Sequence, residues 1–242
     1  MHMLYAAMNM SQTDAPKGHC WKRQVEVPLN WILAFLKSRV GDLTRTIHLD
    51  TYTRKGPRVV ITTDASPFGI GAILQINGQI VEYLADQIWE TDKLVLALDD
   101  GHGSRNQQVL EALAMLVALR TWAHHWKCNR VVLTVKTDNV ATLALVARMQ
   151  PHSAQLGIIA REMALDIAMA CYSPDVVEHL PGVANTGADA LSRLHAPSPY
   201  KPPTYLCSVP QSTVSVRRQC WWRSLPAPLI GGEGRKTANI QY

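Results

Sequence analysis

Cysteine is scarce and badly placed for cross-linking. The five residues Cys20, Cys128, Cys171, Cys207 and Cys220 are odd in number, widely scattered and contain no Cys-x-x-Cys pair. That excludes a disulfide scaffold and predicts an intracellular, reducing setting in place of secretion. Long apolar runs are also missing. The longest, Ala112–Leu119, is flanked by Glu111 and Arg120 and falls far short of the ~18–20 apolar residues of a membrane span. Met1–Met10 lacks a basic start, and its apolar stretch is too short for a signal peptide. Charged residues make up only 18% of the 242, against 47% apolar, so a hydrophobic core can form and global disorder is excluded.

The net charge of +5 is unevenly spread. Residues 1–56 carry 8 Lys/Arg against 4 Asp/Glu, and residues 196–242 carry 6 against 1. The stretch 57–195 has 10 basic and 14 acidic side chains, a net of −4. A basic total points to a polyanionic partner, yet the best-patterned part of the chain is acidic. For that part to handle nucleic acid, its carboxylates need an offset, which bound divalent cations can supply.

Periodicity is weak over the first ~27 residues. Pro28–Val40 reads as a short amphipathic helix, and Lys55-Gly56-Pro57 is a break. Arg58–Thr63 is a β-branched run, a second strand runs from Gly69 through Gln75, and Asn77-Gly78 is a two-residue hairpin signal leading into Gln79–Leu84. Polar residues 86–106 read as a loop. Gln107–Trp126 is the longest helical pattern, Arg130–Thr137 a buried strand and Val140–Met149 a helix that Pro151 ends. Ser153–Ala170 reads as a helix, Asp175–Leu180 as a strand, and Thr186–Leu194 as a last helix capped by Asn185 or Thr186. This order predicts an α/β fold with a mixed sheet, helices on its faces and right-handed crossovers. From Ala196 the Pro-, Ser- and Arg-rich composition predicts a disordered tail.

Four carboxylates stand out. Asp64 ends the first strand and Asp138 ends Val131–Thr137; if these strands are neighbours, the two meet at the carboxyl ends, where sites gather in open sheets. Glu111 falls in the first turn of the long helix, on a line with Ala114, Ala118 and Trp122. The small residues on that line let its face approach the sheet. Asp189 lies early in the last helix, where the helix dipole tolerates an anion. Four converging carboxylates repel, and a pair of Mg²⁺ ions, suited to hard oxygen ligands, accounts for their retention. His179, beside Pro181-Gly182, is placed as a mobile acid/base, although strand alternation with Val177 also allows a half-buried histidine. His124, His125 and Cys128, at one helix end, read as surface and core residues in preference to a metal site. Trp122 and Trp126 read as core; Trp221 and Trp222 stay open between core packing and base stacking.

These residues resemble the ribonuclease H domain of retroelement reverse transcriptases. The resemblance rests on Thr63-Asp64-Ala65-Ser66, Glu111 in a long helix, Thr137-Asp138-Asn139, and His179-Leu180-Pro181-Gly182 followed by Ala188-Asp189-Ala190-Leu191-Ser192-Arg193. The last pair is similar to gypsy-like and related retrotransposons, and the resemblance covers roughly 57–195. It implies a ribonuclease-H-like mixed five-stranded sheet, three antiparallel strands then parallel strands, flanked by helices. It further implies an endonuclease that cuts the RNA strand of RNA–DNA hybrids with two Mg²⁺, for which Mn²⁺ can substitute. Asp64, Glu111, Asp138 and Asp189 match the family's metal-binding carboxylates, and His179 its flexible histidine. Gln107 and Gln108, with Asn139 and Asn185, are candidate substrate contacts, and the hybrid would be recognised by 2′-hydroxyls and groove shape. No Tyr-x-Asp-Asp polymerase motif is present. Residues 1–56 would resemble the end of a thumb or connection region, making the polymerase portion of a reverse transcriptase a partner.

Two further readings compete. A catalytically silent ribonuclease-H-like module that binds nucleic acid or protein would be favoured by loss of a carboxylate, and none is lost. Proofreading exonucleases expect a Glu where Ser66 stands, and transposases or integrases expect Asp, Asp, Glu in order; both fit worse.

Overall fold

The computed structural model describes residues 26, 29–30, 32–34, 36–37, 56–98, 104–126, 131–139, 142, 151, 153–169, 174–180, 184–198 and 200–225. Of the described residues of the Pro28–Val40 helix, Leu29, Asn30, Ile32–Ala34 and Leu36 are helical and Lys37 is a turn. The helix expected over Val140–Met149 lies outside the described residues except for Thr142, which is helical. Most of 1–56 and all of 226–242 also lie outside them. Among the described residues no helix is long and apolar enough to cross a membrane.

Five strands form one sheet. They are β1 (Arg58–Ser66), β2 (Gly69–Ile76), β3 (Gln79–Gln87), β4 (Val132–Thr137) and β5 (Pro174–His179). The spatial order is β3-β2-β1-β4-β5. β1, β2 and β3 pair antiparallel, while β4 pairs parallel with β1 and with β5, the mixed arrangement expected. The β2–β3 turn holds Asn77 and Gly78 at φ 51° and 84°, the left-handed pair that a tight hairpin demands. Asn77 also binds the start of β1, its side-chain oxygen accepting the Arg58 N–H at 3.0 Å.

Helices cover both faces. The long helix α2 (Ser104–Thr121) begins three residues earlier than its periodicity suggests and gives way to a 3₁₀ turn at Ala123–His125. Strand alternation sorts the core. Val59, Ile61 and Ala65 of β1 and Ile70, Ala72 and Leu74 of β2 join α2 and α3 (Ala154–Met169) in the main cluster. Ile73 points the other way and packs with Leu191 and Leu206. Leu191 belongs to α4 (Thr186–Ser192), which therefore lies on the opposite face from α2.

Two regions differ from expectation. The polar stretch after β3 contains the short helix α1 (Glu90–Leu96). Its polar first turn hides it in the sequence, but Asp92 accepts the Trp89 N–H at 3.0 Å and so satisfies a donor that the helix start leaves open. The tail expected to be disordered from 196 is instead packed over 200–225. Pro210 O accepts from Tyr83 N and Tyr83 O accepts from Ser212 N, extending the β3 edge. Arg217, fully buried, binds both oxygens of Asp92 with its Nε (3.0 and 2.8 Å) and Asp86 with Nη1 (2.6 Å). Ser224 donates to Glu162 of α3 from both N and Oγ, and Trp222 enters the main core. A composition that reads as linker is thus anchored by long-range ion pairs that no local pattern encodes.

Candidate active site

The parallel register of β1 and β4 builds the site. Thr62 pairs with Lys136, so two residues further on Asp64 and Asp138 stand side by side at the carboxyl ends of adjacent central strands. Glu111 reaches them from α2, two turns into the helix and not in its first turn. Ala114 and Ala118, one and two turns on, are fully buried, and this small-residue face brings the helix against β1. One carboxylate oxygen each from Asp64, Glu111 and Asp138 then lie within 4.8 Å of one another.

Each acid is held by neighbours. Glu111 Oε1 accepts from Ala65 N (3.2 Å) and from Gln107 Nε2 (2.8 Å), and Thr137 Oγ1 donates weakly to Oε2. Gln107 Nε2 also donates to Ala65 O, so it clamps helix to strand. Ser192 Oγ donates to Asp64 Oδ2 at 2.8 Å, and Asn185 Nδ2 lies near Asp64 Oδ1 and donates to Thr63 O. Asn185 therefore does not cap α4 with its side chain; the amide is spent on β1. Asn185 Oδ1 and Thr63 Oγ1 are buried without hydrogen-bond partners.

Burial and mutual repulsion move both inner acids. Burial, then the charges of Asp189 and Asp138, raise Asp64 from 3.8 to about 7, against the pull of the Ser192 hydrogen bond. Burial, then Asp64 and Asp138, raise Glu111 from 4.5 to about 8. Buried carboxylates that repel are a cost to the fold unless a cation is present. An all-oxygen donor set with an unpartnered amide oxygen beside it fits a hard divalent cation such as Mg²⁺.

The other expected residues fall around this cluster. Asp189 is close enough to raise the Asp64 pKa, but it stands outside the 4.8 Å group and its Oδ1 is paired with Arg193 Nε at 2.6 Å. His179 is exposed, not half-buried, and its Nε2 lies 3.0 Å from Asp138 O; the β4–β5 register that pairs Thr137 with His179 puts it there. Asn139 accepts the Thr142 N–H and stabilises the turn after β4. Gln108 is exposed on α2. Sequence reasoning missed Ser192 and Arg193 as individual actors, although both lie in the quoted motif; helical spacing from Asp189 (i+3 and i+4) was the available signal.

No family model matches the chain, and no curated protein matches it. Solved structures do. The crystal structure of RNase H1 from the halophilic archaeon Halobacterium salinarum NRC-1 is 19% identical, with 57% of this chain and 96% of that chain covered at a TM-score of 0.41. LC11-RNase H1, isolated from compost by a metagenomic approach, is 18% identical, with 55% and 91% covered at a TM-score of 0.40.

Proposed function

We propose that the chain hydrolyses the RNA strand of RNA–DNA hybrids at the Asp64–Glu111–Asp138 cluster, as the nuclease portion of a retroelement reverse transcriptase. The observation that carries the reading is the convergence of these three acids, drawn from 75 residues of chain, at the ends of two neighbouring parallel strands. The ordered motifs from Thr63 to Arg193 support the retroelement assignment. Asp64, Glu111 and Asp138 would hold a pair of Mg²⁺ or Mn²⁺ ions, with Asp189 as the fourth acid. Such ions compensate the carboxylates, acidify a water and steady the leaving oxygen of a phosphodiester.

The chain's own groups supply the positioning. Ser192 aims Asp64, while Gln107 and Thr137 aim Glu111. Arg193 holds Asp189 at the rim. His179, exposed beside Asp138, is free to carry a proton to or from solvent at Nδ1 while Nε2 faces the Asp138 carbonyl. Gln108, exposed on the same helix, is available to the minor groove of the hybrid.

The test is cleavage of a labelled RNA–DNA hybrid by the full chain. Mg²⁺-dependent cutting of the RNA strand is expected, reduced at least ~100-fold by Asp64→Asn or Glu111→Gln with the fold retained. An intact hybrid in both Mg²⁺ and Mn²⁺ would replace this reading with the silent binding module.

A further inference from the structure

A second group of metal-ligating side chains lies at the other end of α2. Glu82 of β3 faces His124 and His125 of the 3₁₀ turn, and one ligand atom from each lies within 4.8 Å of the others. Both imidazoles converge on a single carboxylate oxygen: His125 Nε2 is 2.9 Å and His124 Nε2 3.8 Å from Glu82 Oε1. The other oxygen, Oε2, is tied down by Ser212 Oγ at 2.6 Å and Trp122 Nε1 at 3.1 Å. Trp122 is itself fully buried and also donates to Ser212 Oγ. Glu82 is therefore oriented by a fixed outer layer, the arrangement that aims ligands in metal sites. Burial works against its ionisation, but hydrogen bonds from Ser212 and His125 hold its carboxyl below the usual range.

We infer that Glu82, His124 and His125 form a zinc site. Two imidazoles and a carboxylate are a borderline donor set that suits Zn²⁺ and not Mg²⁺, which prefers oxygen alone. Ligand atoms in a tetrahedral zinc shell with bonds of ~2.0 Å stand ~3.3 Å apart, so around the ion the 2.9 Å His125–Glu82 pair must open and the 3.8 Å His124–Glu82 pair must close, each by only about half an ångström. His124 is 61% exposed, which gives the ion a route in and leaves the fourth position to water. The bound ion would fasten the end of α2 to β3 and, through Ser212, to the 200–225 segment. The ten helical steps of α2 from Glu111 to Thr121 span about 15 Å, so this site is independent of the carboxylate cluster.

The full chain, with excess Mg²⁺ present to occupy the carboxylate cluster, is titrated with Zn²⁺ by calorimetry and with Co²⁺ by visible absorption. One equivalent of Zn²⁺ should bind, and Co²⁺ should show the bands of a low-coordinate nitrogen–oxygen site without the thiolate charge transfer that the exposed Cys207 or Cys220 would give. His124→Ala, at an exposed position, and Glu82→Gln, which keeps the Ser212 contact, should each weaken Zn²⁺ by more than ~100-fold. Asp64→Asn should leave it unchanged. Equal Zn²⁺ binding by the chain and its His124→Ala variant, a thiolate signature, or no binding tighter than about 1 mM would each overturn the assignment.

Discussion

Replacing the Glu111 carboxylate by an amide separates two things the side chain does. The amide oxygen of Glu111→Gln can still accept the Ala65 N–H, but it no longer repels Asp64 and Asp138. Glu111 and Asp64 have folded pKa values of about 8 and about 7, above their ordinary 4.5 and 3.8. Between those limits the folded chain keeps protons that the unfolded chain has lost. Their contribution to stability is full below about pH 4 and is lost as pH rises through 7 and 8. In chelator, Glu111→Gln should therefore match the native chain in Tm near pH 4 and exceed it above about pH 8. Mg²⁺ should raise the native Tm at about pH 8 more than that of the variant; calorimetry across pH checks both. Ser192→Ala removes the donor to Asp64 Oδ2. The Mg²⁺ concentration needed for half-maximal cleavage should rise ~10–100-fold, read from a metal titration of the hybrid assay.

The position of α4 depends on a close approach to β2. A Cβ on Gly71 would sit 2.3 Å from Ala188 O and 2.6 Å from Ser192 N, backbone atoms that cannot swing away. Gly71→Ala should cost about 1–3 kcal/mol, seen as a lower urea midpoint, and should weaken cleavage by shifting Ser192 and Asp189 together. The strands and α2 were legible because their signals are local: a β-branched run, an Asn-Gly turn and an alanine line beside Glu111. The Asp64–Asp138 pairing was legible only on the condition that their strands are neighbours, and that adjacency comes from the β1–β4 pairing. Helix α1 was not legible, since Glu90, Thr91, Asp92 and Lys93 look like loop and its anchor, Arg217, is 125 residues away from Asp92. Asn185 sits where a cap belongs, yet its amide serves β1; position along the chain could not tell those uses apart. For His179 both a mobile and a half-buried place were open, and it is exposed because β5 is the last strand of the sheet and leaves that side chain to solvent.

At the scale of the whole molecule, residues 200–225 act as a strap. Its strongest fastening is Arg217, whose side chain and the Asp92 carboxylate are both fully buried. Arg217→Ala strands that carboxylate and should cost about 3–5 kcal/mol, measured by equilibrium unfolding, whereas replacing both members of the pair, Arg217→Met with Asp92→Leu, should cost less. Arg120 adds a second fastening by pairing with Glu162 and Asp166 of α3 while its Nη1 donates to Trp221 O. A nuclease fragment trimmed at 195 would keep the Arg120 ion pairs but lose the Arg217 and Trp221 contacts, so activity assays need a fragment that runs to 225. The strap also closes the outer side of β3, where Pro210 and Ser212 take up the backbone groups of Tyr83. Cut away, it would leave a bare rim of unpaired amides and carbonyls, an invitation for two copies to zip together. A chain shortened to 195 should therefore scatter light and elute early at concentrations where the longer form stays monodisperse.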